Sequence, residues 1–167
     1  MTERQDRAQA HARLWELIKD IRVAMLTTRE DDRLRSRPMH GFQEALEDEL
    51  WFFTRLDSAK AREVLLHPGV NLAYADQHEK IYVSVSGRGE LVTDRQVMER
   101  YWNPMVAAWF PDGLDDPDLA LIKVVVEEAE YWDAETGAMR YFWEVTTARI
   151  EGRQPDVGEH GQVTARR

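Results

Sequence analysis

Cysteine is absent from the 167 residues. That excludes a disulfide framework, a thiolate metal site and a catalytic cysteine. Long hydrophobic runs are also missing, and none approaches the ~20 residues that cross a bilayer as a helix. The opening stretch, Met1 to Arg13, is polar and charged and has no apolar signal region. Basic residues are outnumbered, with 22 Lys and Arg against 31 Asp and Glu and a formal charge of −9. A general nucleic-acid face or an affinity for anionic membranes needs the opposite balance. These absences point to a cytoplasmic protein with no nucleic-acid and no membrane partner. The length suits one compact domain with a real core.

Aromatic residues are plentiful, including six tryptophans. Such residues favour cores, interfaces and the surroundings of planar ligands. Ala8, His11, Ala12, Trp15 and Ile18 recur at helical spacing, which predicts an amphipathic helix over 8–19. Val23 to Thr28 and Leu34 to Phe42 read as strands of a hairpin around a polar turn. Glu49 to Thr54 is apolar enough to predict a central strand. Asp57 or Ser58 then caps a helix that runs to Leu66 and ends at His67-Pro68-Gly69. Val70 to Asp76 and Lys80 to Thr93 are further strands, with Gly87 and Gly89 marking a bend or bulge. Thr93 and Gln96 fit a capping box, and Asn103-Pro104 opens another short helix. Leu119 to Asp133 is a long β-branched strand. Met139 to Ile150 suits a helix by spacing and a strand by composition. Gly152 to Arg167 reads as a polar tail. Six strands in hairpin order, without alternating βαβ units, predict a mainly β (α+β) fold. Its form is a six-stranded antiparallel barrel with flanking helices.

Against the acidic background stands a basic and hydroxyl-rich island: Arg35-Ser36-Arg37-Pro38-Met39, then Trp51-Phe52-Phe53-Thr54, then Ser58-Ala59-Lys60. Side chains alternate along a strand, so Arg35, Arg37 and Met39 share one face and Ser36, Pro38 and His40 the other. Two arginines on one face repel unless an anion sits beside them. Lys60 falls in the first turn of a helix, where a cation is disfavoured unless a bound phosphate reverses the balance. The bland reading is a capping serine with solvated arginines and lysine. No Gly-rich phosphate loop is present. The five histidines have no zinc-helix spacing, no metal site is expected, and no catalytic residue is identifiable.

At these residues the chain resembles the FMN-binding split-barrel family related to pyridoxamine 5′-phosphate oxidase, in its general stress protein 26 branch. Further landmarks are His67-Pro68, Tyr131-Trp132-Asp133 and the stretch from Pro155 to Gly161. The resemblance implies a split barrel over residues 1–152 with N- and C-terminal helices, including a helix over 139–150, and a polar tail over 153–167. It implies a homodimer with FMN, or FAD as the alternative, at the interface. Arg35, Ser36, Arg37, Pro38 and Met39 would line the ribityl chain and ring. Phe53 and Thr54 would border ring and phosphate, and Ser58 and Lys60 would hold the phosphate. Apart from the resemblance, Trp109 or Phe110 of one subunit would cover the flavin of the other, the bland reading being core or dimer packing. The implied activity is a flavin-dependent oxidoreductase using a nicotinamide or other small reductant. The alternatives are a non-catalytic flavin-binding or redox-sensing stress protein, and a scaffold with a vestigial groove. The chain departs from the oxidases proper in two places. Its end, Val163 to Arg167, has no Arg-x-His element, and Tyr82 stands where those enzymes present a glutamine. The expectation therefore does not extend to pyridoxamine phosphate oxidation.

Overall fold

The computed structural model describes residues 3–45, 49–133 and 159–164. Helix α1 spans Glu3–Ile18, and the hairpin strands are β1 (Val23–Glu30) and β2 (Arg33–His40). Strand β3 (Glu49–Arg55) leads into α2 (Ala59–Leu66). Strands β4 (Gly69–Asp76) and β5 (Ile81–Val92) follow, then α3 (Arg95–Tyr101), α4 (Pro104–Trp109), β6 (Leu119–Asp133) and β7 (Glu159–Thr164). All pairings are antiparallel, in the order β2-β1-β4-β5-β6-β3. These six strands curl into the expected split barrel with flanking helices. The two end strands, β2 and β3, touch without sharing a ladder, and this is where the barrel is split.

Three local expectations are corrected. Strand β3 is not central: it pairs only with β6 and closes one end of the sheet. Its apolar run is explained by burial on both faces. Phe52 packs into the main core with Leu26, Leu72 and Val124, while Phe53 packs under α3 and α4 with Met98 and Val106. The cap of α3 is Asp94 rather than Thr93; its side chain accepts from the Gln96 and Val97 amides at 2.8 and 3.2 Å. A carboxylate beside the first free amides answers the helix dipole better than a hydroxyl one residue earlier. Residues 159–164 of the polar tail form a seventh strand on β6. It occupies the same β6 edge as β3, which pairs with Leu119–Val125, while β7 pairs with Glu128–Asp133. The expected helix over 139–150 and the proposed boundary at 152 lie outside the described residues.

The remaining elements follow their sequence signals. On α1 the buried stripe is His11, Leu14, Leu17 and Ile18, with Trp15 half-buried and Ala12 exposed. Ser58 caps α2, and Asn103 caps α4 ahead of Pro104. The β5–β6 register shifts between Ser86 and Gly87, leaving Glu127 of β6 unpaired in a bulge. A Cβ at Gly87 would lie 2.2 Å from the Val125 carbonyl oxygen, so only glycine fits that approach. Among the described residues no helix is long and apolar enough to cross a membrane.

Candidate functional site

The split between β2 and β3 holds a cavity of about 510 Å³. Strand β2 contributes Pro38, Met39 and His40, and β3 contributes Phe53, Thr54 and Arg55. Ser58 and Lys60 come from the start of α2, and Trp109 and Phe110 from the end of α4. Val23 and Phe42 complete the lining. Most walls are apolar and aromatic. Phe53 meets Phe110 at 5.9 Å and Phe42 at 6.4 Å between ring centroids, and His40 stacks on Phe42 at 4.4 Å. Pro38 is tolerated because β2 ends the sheet and has a free edge.

The polar end lies where β3 hands over to α2. The Ser58 hydroxyl donates to the Arg55 carbonyl at 2.7 Å and accepts from the Ala61 amide at 3.3 Å. The buried Thr54 hydroxyl lies 3.3 Å from it. The earliest amides of α2 have no intrahelical acceptor. Lys60 is half-buried, and among the described residues no carboxylate or other acceptor is bonded to it. Burial first, then the neighbouring Arg37 charge, lower its pKa from the ordinary lysine value, with Glu63 opposing. An anion in the cavity would relieve both effects. Arg55 is occupied, with Asp57 at 3.1 Å, Asp116 at 2.7 Å and Asp118 at 3.2 Å. Asp116 and Asp118, just before β6, thus clamp the end of β3 through Arg55. Burial, then Arg22, lower the His40 pKa and favour its neutral imidazole.

Of the residues singled out by sequence, Pro38, Met39, Phe53, Thr54, Ser58, Lys60 and Trp109 come together in this cavity. Arg35, Ser36 and Arg37 are not among its lining residues. Arg35 is exposed and binds Glu30 at 2.8 Å. Ser36 shares a hydrogen bond with Thr27 at 2.6 Å. Arg37 turns under the sheet, where its guanidinium meets Glu63 at 2.7 Å and the Thr28 hydroxyl, which itself donates to Glu63. The anion that relieves the two arginines is thus the protein's own, Glu30 for one and Glu63 for the other. Val23, His40, Phe42 and Arg55 were not assigned to the site by sequence, and Phe110 was the alternative to Trp109. A signal existed for three of them: His40 follows Met39, Phe42 follows His40 at the strand period of two, and Arg55 follows Thr54.

Known proteins share both the sequence pattern and this architecture. The family model described as pyridoxamine 5′-phosphate oxidase like matches residues 9–156. General stress protein 26 of Bacillus subtilis is 26% identical over 116 residues, covering 68% of this chain and 81% of that protein. A structure assigned to general stress protein 26 from Jannaschia sp. CCS1 is 29% identical with a TM-score of 0.69, covering 95% of this chain and 99% of the other. The general stress FMN/FAD binding protein of Xanthomonas citri is 29% identical with a TM-score of 0.68, covering 78% and 92%. The chain therefore belongs to the pyridoxamine 5′-phosphate oxidase-like family.

Proposed function

We propose that the cavity at the split binds a flavin, FMN first and FAD as the alternative, and that the protein is a flavin-dependent oxidoreductase of the general stress type. One observation carries this reading. A cavity of about 510 Å³ joins aromatic walls to a polar end where Thr54, Ser58 and the unpaired Lys60 meet the start of a helix. That volume lies within the ~300–1,000 Å³ range of cofactor pockets, and helix starts suit phosphate. The Xanthomonas citri relative, described as an FMN/FAD binding protein, supports it.

A flavin held there supplies hydride and one-electron chemistry. Phe53, Phe110 and Met39 offer apolar surface for the ring, and Lys60, Ser58 and Thr54 offer donors for a phosphate. We place a homodimer partner over the exposed face beside the cavity. Met25 pairs with Pro38 on one side and Ala73 on the other, which aligns three exposed small or apolar residues in one row. Trp109, 73% exposed, projects from the cavity rim, where it would cover a flavin held across the interface. A second reading is flavin binding without turnover.

Reconstitution tests both readings. Purified protein mixed with FMN is expected to retain about one flavin per chain through gel filtration, with altered flavin fluorescence. Bleaching by NADH or NADPH with turnover supports the oxidoreductase; bound flavin with negligible steady-state reduction supports the carrier. Protein that retains neither FMN nor FAD refutes both.

A further inference from the structure

Glu63 is a buried carboxylate on α2, the helix whose start forms the polar end of the cavity, and the flavin reading gives it no task. It lies three residues after Lys60 on α2, hence one turn along the same helix face. Its Oε2 accepts from Arg37 at 2.7 Å and from the Thr28 hydroxyl. Its Oε1 is buried without a hydrogen-bond partner. A buried carboxylate oxygen lacking a donor is costly, and a lysine on a flexible four-carbon stem stands one turn away with no partner of its own.

Resting on the flavin reading, we propose that Glu63 is a positioning residue: it competes with a bound phosphate for Lys60 and so sets how strongly the cavity prefers phosphorylated over unphosphorylated flavin. The charges around Lys60 support this. Arg37 faces it from β2 but is neutralised by Glu63. Arg35, also on β2, is bound to Glu30, and Arg55 at the end of β3 is bound to three aspartates. Lys60 is thus the uncompensated cation among the described cavity residues. With the cavity empty no bond joins that ammonium to Oε1, but the Glu63 charge acts on it and opposes the effect of burial. A phosphate would share the ammonium's field with the Glu63 charge, which also repels the phosphate, and the affinity it gains is reduced accordingly.

The test compares FMN with riboflavin on the full chain by fluorescence titration. Glu63→Gln keeps shape and removes the competing charge. The ratio of FMN to riboflavin affinity is expected to rise roughly tenfold, the scale of one hydrogen bond to a charged group. General loosening of the fold weakens both ligands alike and leaves the ratio unmoved. If Glu63→Gln folds poorly with Arg37 unpaired, the double variant R37Q/E63Q removes both charges together. Its ratio is also expected to rise, although a cation has been lost. A ratio equal to or below that of the wild type in these variants overturns the inference. If neither flavin binds the wild type, the flavin reading falls, and inorganic phosphate becomes the probe. Greater thermal stabilisation of E63Q than of wild type by phosphate then sustains the role of Glu63; equal or absent stabilisation overturns it.

Discussion

Replacing Arg37 by methionine is the sharpest test of how the basic island is held. Glu63 is 4% exposed and depends on Arg37 and Thr28 for its donors. Removing one partner of a buried ion pair costs about 3–5 kcal/mol, because the other charge is left uncompensated. The Arg37 side chain is 20% exposed, which places this pair at the lower end, near ~3 kcal/mol. For a domain of this size that corresponds to a fall in Tm of roughly 6–12 °C. Replacing both partners, as in R37M/E63L, is expected to restore most of it, since a packed apolar pair often matches a buried ionic one. The pH dependence has a definite sign. Burial pushes the Glu63 pKa up, but the bonds from Thr28 and Arg37 together outweigh it and leave it lowered. In the wild type its stabilisation is therefore present above the unfolded pKa and lost as pH falls through the lower folded value. Without Arg37 burial dominates, the folded pKa rises, and protonation relieves the penalty. The deficit of Arg37→Met should narrow on acidification. Thermal melts followed by tryptophan fluorescence and circular dichroism from neutral to acidic pH measure all three effects. A Tm loss below about 2 °C, a double variant as unstable as the single one, or a deficit that widens in acid would refute this account.

Lys60→Met is expected to weaken FMN roughly 10–100-fold while leaving riboflavin nearly unchanged, as measured by titration calorimetry. Because the Lys60 pKa is held below the ordinary 10.5, the FMN preference of the wild type should decline with rising pH earlier than an ordinary lysine allows. A preference flat up to 10.5 contradicts the assignment. Trp109→Ala should leave the melting temperature of the flavin-free protein within about 2 °C, since that side chain is 73% exposed. It should weaken flavin binding by roughly 0.5–1.5 kcal/mol if the indole stacks on the ring. Gly87→Ala is expected to cost about 1–3 kcal/mol in urea denaturation, because its Cβ would meet the Val125 carbonyl oxygen at 2.2 Å. An Ala variant as stable as wild type would show that the bulge relaxes freely.

Much of the barrel was legible because its signals are local. The caps at Ser58 and Asn103, the strand of β-branched residues over 119–133 and the hairpin of β1 and β2 each arise from neighbouring residues. What local signals do not contain is the partner of each element. The apolar run of β3 suggested a central strand, yet β3 pairs only with β6, and its apolar residues are accounted for by the core on one face and by α3 and α4 on the other. The polar composition of 159–164 hid a strand, since an edge on β6 requires backbone groups more than apolar side chains. The two arginines show the same limit. Their shared face was readable from strand alternation, and Glu30 was near enough in sequence to suspect as a partner. Glu63 lies 26 residues beyond Arg37, and only the fold brings it beneath that strand.

The position of the cavity follows from the topology. Strands β2 and β3 each have one paired side, so their free edges face one another across the split. Chain order then delivers the start of α2 to that gap, because the helix follows β3 after a three-residue turn. Apolar walls arise because Phe53, buried under α3 and α4, also borders the gap, as does Phe110 at the end of α4. The one polar corner carries a lysine that no protein carboxylate neutralises among the described residues. A chain of net charge −9 repels a dianion at long range. On the flavin reading, recognition of a phosphorylated ring would come from contacts inside the gap: the burial of ring surface, the hydroxyls of Thr54 and Ser58, and one ammonium. On that same reading, aromatic burial would set whether a flavin binds, and the Glu63 charge acting on Lys60 would set how strongly a phosphorylated flavin is preferred.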